Sequence, residues 1–237
     1  MDLIKRTFHY AALTVATGFL LSVSAKAQLP SRSDTQQWTD VQFAVPLSKA
    51  IDFNFGGTLR LGRNWERPVD ERIGFGWTFR FGNHLSTSPN YQYIGMQPFR
   101  GRRVWENRLS LPINVRFDLG KFRLTDRNLF ERRIRHPGIN STRYRNRIQV
   151  EHPIGPAKIK LSVYVSEEVF YDWSFNAWVR NRAAVGVTKV FNKAWTQDFY
   201  YLRQNDSHSV PGDLHVIGTA ATGAGGARVI APTERSA

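Results

Sequence analysis

The stretch "ENRLSLPINVRF", residues 106–117, alternates along its length. Leu109, Leu111, Ile113, Val115 and Phe117 share one parity, and Glu106, Arg108, Ser110, Asn114 and Arg116 share the other. Successive side chains of a strand point to opposite faces, so this is a strand with one apolar side and one strongly polar side. A helix would need apolar residues at three- and four-residue spacing instead.

The pattern repeats in both directions. Upstream, Ile51, Phe53, Phe55, Leu59 and Leu61 oppose Asp52, Asn54, Thr58 and Arg60. Ile73, Phe75, Trp77, Phe79 and Phe81 oppose Gly74, Gly76, Thr78 and Arg80. Downstream, "RYRNRIQVEHP" (143–153) sets Arg143, Arg145, Arg147 and Glu151 against Ile148 and Val150. Ile159, Leu161, Val163 and Val165 then oppose Lys160, Ser162, Ser166 and Glu168, and Val179, Val185 and Val187 oppose Arg180, Arg182 and Thr188.

A soluble sandwich also alternates, but its outward face carries short mixed polar residues. Here the polar parity is rich in Arg, Glu and Gly, while the apolar one holds Phe, Trp, Val and Leu. Strands of about ten residues suit a tilted membrane crossing. Apolar-out, polar-in alternation is the pattern of outer-membrane barrels, and closure removes the unpaired edges that lipid does not tolerate. The expected fold is all-β, a transmembrane antiparallel up-and-down barrel of 10–12 strands.

The segments fall at 38–45, 50–63, 71–83, 90–95, 104–117, 121–133, 142–152, 157–169, 177–190, 195–203 and 213–220. Bacterial barrels close with even counts, so ten or twelve strands are expected, with 38–45 and 90–95 the weakest segments. Short turns are read at Pro46–Lys49, Asp118–Lys121, His152–Ala157 and Phe191–Lys193, and are expected on the periplasmic side. Longer outer loops are read at Arg63–Glu71, Ile134–Ser141, Phe170–Asn176 and Gln204–Gly212. Asp126 and Asn128 fall on the apolar parity, so that strand is expected to reach the rim there or to contain a bulge.

The amino terminus sets the compartment. Lys5 and Arg6 precede an apolar run, Ala11–Val23, and then Ala25-Lys26-Ala27. A charged start, a short apolar core and a small-x-small site describe a secretory signal peptide over 1–27. A short segment, 28–37, would lead into a barrel domain at 38–220, followed by a Gly/Ala-rich tail, 221–237. The chain has no cysteine, which removes disulfides, thiolate metal sites and a Cys nucleophile.

Its formal net charge of +14 would suit nucleic acid, but export and the spread of the basic residues argue against that partner. Outer-membrane lipid, lipopolysaccharide and the barrel-assembly machinery are the expected partners, and the sequence leaves the oligomeric state open. No cofactor motif is present. His84, His136, His152, His208 and His215 show no metal-ligand spacing.

If Ile148 faces lipid, a charged set faces the lumen: Glu106, Arg108, Arg116, Arg127, Glu131, Arg133, Arg143, Arg145, Arg147, Glu151, Lys160, Glu168, Arg180 and Arg182. Arginine suits such a place, because it stays charged and offers carboxylates a fixed fork. The set is read as a structural Arg–Glu network or as an anion-conducting lining. The aromatics Trp65, Trp77, Trp105, Trp173, Trp178, Trp195, Tyr200 and Tyr201 lie near strand ends, where an interfacial girdle would sit.

The segments "RNLFERR" (127–133), "RYRNR" (143–147), "SEEVF" (166–170), "RNR" (180–182) and "DLHVIG" (213–218), taken in order, resemble the Gram-negative outer-membrane proteins catalogued as domain-of-unknown-function family 2490. The resemblance spans roughly Trp38 to Thr219 and implies a β-barrel with no established activity. The chain departs from it at Leu129, where a third arginine is more typical. It also departs at the end: such barrels resemble one another in finishing on an aromatic residue, whereas this chain runs on as "AATGAGGARVIAPTERSA". That tail reads as a disordered extension or as the product of a frameshift in the last strand.

The leading functional expectation is a non-enzymatic barrel, structural or for narrow transport. A second is a lipid- or lipopolysaccharide-directed hydrolase built on Asp206, Ser207 and His208 in "NDSHS", although consecutive residues do not by themselves make a triad. A third is a soluble periplasmic β-sandwich that binds a ligand.

Overall fold

Twelve strands follow one another around a single closed sheet in the computed structural model, which describes residues 33–99 and 102–224. They are β1 (Ser33–Pro46), β2 (Ile51–Gly62), β3 (Arg67–Phe81), β4 (Leu85–Thr87), β5 (Asn90–Phe99), β6 (Arg102–Leu119), β7 (Phe122–His136), β8 (Ser141–Ile154), β9 (Leu161–Asp172), β10 (Ala177–Val190), β11 (Trp195–Asp206) and β12 (Asp213–Ala224). The expected signal peptide, 1–27, and the tail beyond 224 lie outside the described residues.

Strands β4 and β5 both lie between β3 and β6, so together they make one crossing interrupted at 88–89. The wall therefore has 11 crossings. The expectation of an even count is corrected here. Each turn reverses direction, so an odd count leaves the first and last crossings running the same way. The barrel closes through that parallel pair, β1 with β12, from Ser33↔Asp213 to Ala44↔Ala224. Parallel strands hydrogen-bond with an even, slanted spacing, and closure leaves no free edge. A two-layer sandwich is excluded by the same topology.

Several boundaries move outward. The strands run further than the alternation alone marked, so connections at the rim of the expected outer loops shrink to 63–66, 137–140, 173–176 and 207–212. Residues 33–37, read as a lead-in segment, belong to β1, and 221–224, read as tail, belong to β12.

Side-chain parity is as the alternation requires. Along β6, Val104, Glu106, Arg108 and Ser110 are buried, while Leu109, Leu111, Ile113 and Phe117 are exposed on the outer wall. Ile148, Val165, Val185, Val187, Phe199 and Ile217 continue that exposed apolar surface on β8 to β12. Three readings of parity fail for local reasons. A register shift between Trp178 and Arg180 turns Val179 inward, where it is buried. Tyr200 faces the lumen instead of joining a girdle: a Cβ on Gly218 of β12 would stand 2.0 Å from the Tyr200 ring. Asp126 and Asn128 need neither a rim nor a bulge, because β7 pairs with both neighbours in unbroken register. Their polar groups are met on the outer wall itself. Asn146 Nδ2 donates to Asp126 Oδ1 at 2.6 Å, and the Tyr144 hydroxyl donates to Asn128 Oδ1 at 2.5 Å.

Candidate functional site

The lumen is where the charged residues converge, and three carboxylates organise it. Glu106 on β6 receives Arg108 at 2.5 Å, Arg133 at 2.9 Å and Arg135 at 3.1 Å. Glu131 on β7 receives Arg143 at 2.6 Å, Arg145 at 2.8 Å and Arg108 at 3.7 Å. Glu168 on β9 receives Arg127 at 2.5 Å, Arg145 at 2.8 Å and Arg182 at 3.9 Å. Arg145 thus bridges two hubs and Arg108 another two. The chain reaches this through strand pairing: Glu131 lies opposite Arg143, and Glu168 lies opposite both Arg147 and Arg182.

At the centre sits Phe170, with a relative exposure of 0%. The guanidinium carbons of Arg145, Arg182, Arg143 and Arg180 stand 4.5, 4.9, 5.1 and 5.3 Å from its ring centroid. A ring face attracts cations, and the attraction grows where water is excluded. Arg182 also lies 4.9 Å from the ring of Trp38 on β1, which stacks with Arg60 at 3.7 Å. Trp38 joins Leu202, Leu214 and Val216 in an apolar cluster inside the barrel. Through Arg182 and Trp38, the charged cluster around Phe170 therefore meets the apolar cluster of β1, β11 and β12 inside the lumen.

The remaining members of the expected set are spread more widely. Glu151 faces Arg123 at 3.8 Å, and Arg180 pairs with Asp206. Arg116 and Arg147 are inward, but their Nε atoms are buried without a hydrogen-bond partner. Lys160 is a correction: it ends the short 3-10 turn Ala157–Ile159 in a left-handed conformation and is exposed, so it does not line the lumen. The strand begins one residue later, at Leu161.

Sequence reasoning missed the pairs Arg80–Asp52 and Arg72–Asp70, the second at 2.5 Å. It also missed Phe170, by ending β9 at 169. Carrying the alternation from Ser166 and Glu168 one step further would have placed it inside.

Towards the rim of the 47–50 turn, the lumen opens into a cavity of about 260 Å³. Gln42, Asn54, Thr78, Asn90, Gln92 and Thr222 line it with neutral amides and hydroxyls. Gly74 belongs to this wall, and a Cβ there would stand 2.6 Å from the Tyr91 carbonyl oxygen.

The hydrolase constellation does not assemble. Ser207 Oγ contacts His208 Nδ1 at 2.6 Å, the ring nitrogen that a triad acid would need. Asp206 Oδ1 instead accepts the His208 backbone N–H at 2.7 Å, and Oδ2 is held by Arg180. The carboxylate is thus spent on the loop backbone and the lumen.

Residues 35–214 match the family described as "Protein of unknown function (DUF2490)". No curated protein matches the chain. Among solved structures, it is similar to LpxR from Salmonella typhimurium at 10% identity and a TM-score of 0.45, covering 76% of this chain and 83% of that one. An anion-selective porin from Comamonas acidovorans matches at 12% identity and a TM-score of 0.40, over 77% of this chain. This chain spans only 54% of that porin's length. The β domain of the Bordetella autotransporter BrkA matches at 13% identity and a TM-score of 0.40, over 69% of this chain and 81% of that one.

Proposed function

The chain belongs to the family described as Protein of unknown function (DUF2490), and from that premise we propose that it is a structural barrel of the Gram-negative outer membrane whose lumen is closed. Export through the leader at 1–27, which is cleaved, brings it there. The rim bearing 63–66, 137–140, 173–176 and 207–212 faces outward, and the rim bearing 47–50, 120–121 and 191–194 faces the periplasm. Lipid, including lipopolysaccharide, is the surrounding partner, and the barrel-assembly machinery inserts it.

Two observations support the location. The outer wall carries exposed Leu109, Leu111, Ile113, Phe117, Ile148, Val165 and Phe199. An apolar surface of that extent is a liability in water and a requirement in hydrocarbon. The polar parity turned inward completes the membrane pattern.

Closure is carried by one observation: Phe170, two residues from the end of β9 below the 173–176 connection, is fully buried with four guanidinium groups around its ring. A conducting basic pore would need those cations free to meet ions, whereas here Arg143, Arg145 and Arg182 are committed to Glu131 and Glu168, and Arg180 to Asp206. Expression of the leader-bearing chain, membrane fractionation and gel migration before and after boiling test the reading. It predicts an outer-membrane species that dissolves in detergent and shifts on boiling. A water-soluble species with no shift would contradict it.

A further inference from the structure

The outer wall is not uniformly apolar, and one break in it has the form of a ligand site. Where the crossing of β4 and β5 is interrupted, an outward groove of about 460 Å³ runs across β3, β5, β6 and β7. Its banks are Phe75, Trp77, Tyr91, Leu109, Leu111 and Phe130. Arg132 and Thr142 close its other end.

Arg132 is the anomaly. It points outward four residues before the end of β7, opposite Leu109 and flanked on its own strand by outward Phe130 and Ile134. Nη1 donates to Thr142 Oγ1 at 2.9 Å, and no described carboxylate forms an ion pair with it. Every buried lumen hub, by contrast, is built from paired charges. Beside it on the same face, Asn107 is one step along β6 from Leu109's outward position, opposite Ile134. The Tyr91 hydroxyl, on the groove's bank, donates to Asn107 Oδ1 at 2.5 Å. The head of the groove thus offers the Arg132 guanidinium beside the Thr142 hydroxyl, and its body offers aromatic and aliphatic carbon. Donors of this kind recognise an anion, and a guanidinium is suited to phosphate.

We propose that this groove binds the lipid A portion of one lipopolysaccharide molecule, with a phosphate on Arg132 and an acyl chain along Phe75, Tyr91, Leu109, Leu111 and Phe130. The inference rests on the membrane reading above. The commitment to lipid A instead of a phospholipid follows from depth: Arg132 lies nearer the rim of 137–140, the rim assigned to the outer side, where lipopolysaccharide is the phosphate-bearing lipid. The interrupted crossing explains why the groove is here. Continuous strands on either side of 88–89 would carry side chains across it.

The test is native mass spectrometry of the mature barrel refolded in detergent and titrated with three probes: bisphosphorylated lipid A, the same lipid A dephosphorylated, and phosphatidylglycerol. The expected result is one retained lipid A on the wild type. Retention should fall about tenfold or more in Arg132→Leu, the loss of one charged hydrogen-bonded contact. Leu111→Trp, which fills the groove and leaves Arg132 in place, should weaken it too. Dephosphorylated lipid A should behave like the Arg132→Leu case. Equal retention by wild type and Arg132→Leu overturns the proposal, as does phosphatidylglycerol held as tightly as lipid A. Heat-modifiability of each preparation separates the two readings. A protein that never shifts on boiling fails as a barrel, whereas a shifting barrel without lipid A fails only the groove.

Discussion

The two halves of the wall fill the same lumen by different means. From β6 to β10 the inward positions carry long charged side chains: Glu106, Arg108, Arg127, Glu131, Arg143, Arg145, Glu168 and Arg182. From β12 through β1 to β5, Gly, Thr, Asn and Gln stand beside fewer charges, the pairs Arg80–Asp52 and Arg72–Asp70 among them, and a cavity of about 260 Å³ remains there. The charge-rich arc reaches Trp38 through Arg182, while the other arc leaves open space along its wall. Sealing is therefore a property of one arc, and its cost is the burial of many guanidinium groups that must each find a partner. Paired and hydrogen-bonded, such groups hold a unique arrangement; stripped of a partner, they are severely destabilising.

Substitutions on the two arcs sharpen that contrast. The largest effect is expected for Glu168→Leu, which leaves Arg127, Arg145 and Arg182 without their shared carboxylate. Removing one member of a buried ionic group costs about 3–5 kcal/mol, and urea unfolding in detergent or vesicles should record it. Ile148→Arg, on the outer wall opposite both Asp126 and Glu167, should cost about 2–4 kcal/mol as a mid-depth cation facing lipid. The yield of heat-modifiable protein on refolding into vesicles measures it. Arg145→Leu should destabilise by less, about 1–3 kcal/mol, because Glu131 keeps Arg143 and Glu168 keeps Arg127. On the quiet arc, Gln92→Ala beside the cavity should stay within about 0.5 kcal/mol. If Gln92→Ala matched Glu168→Leu in the same unfolding assay, the distinction between the arcs would collapse.

Much of this was legible before any coordinates. Each of the eleven sequence segments overlaps a strand, including 38–45 and 90–95, because alternation is a local property that survives whatever the strand pairs with. The arginine parity was legible for the same reason, and Arg143, Arg145 and Glu131 lie where it put them. The closure was not. Which strands meet at the seam depends on the total count, and a rule drawn from even-numbered barrels gave no hint of the parallel pairing of Trp38 with Gly218.

Errors inside the site came from strand ends. The alternation starts this strand at 157 and ends it at 169, which takes in Lys160 and leaves out Phe170, whereas the strand runs from Leu161 to Asp172. Pairing with β8 and β10 extends β9 past the point where the apolar pattern fades, since Asp172 lies opposite Arg143 and Ala177. Asp206, Ser207 and His208 suggest chemistry only because they are adjacent; in the fold the acid is held by Arg180 and the loop backbone.

Planar-bilayer recording of the purified, heat-modifiable wild-type barrel tests the closed lumen most directly. The account predicts a current no different from that of the bare bilayer, because Phe170 and the arginines around its ring close the lumen. Long-lived, discrete openings in the wild type, of either ion selectivity, would contradict it.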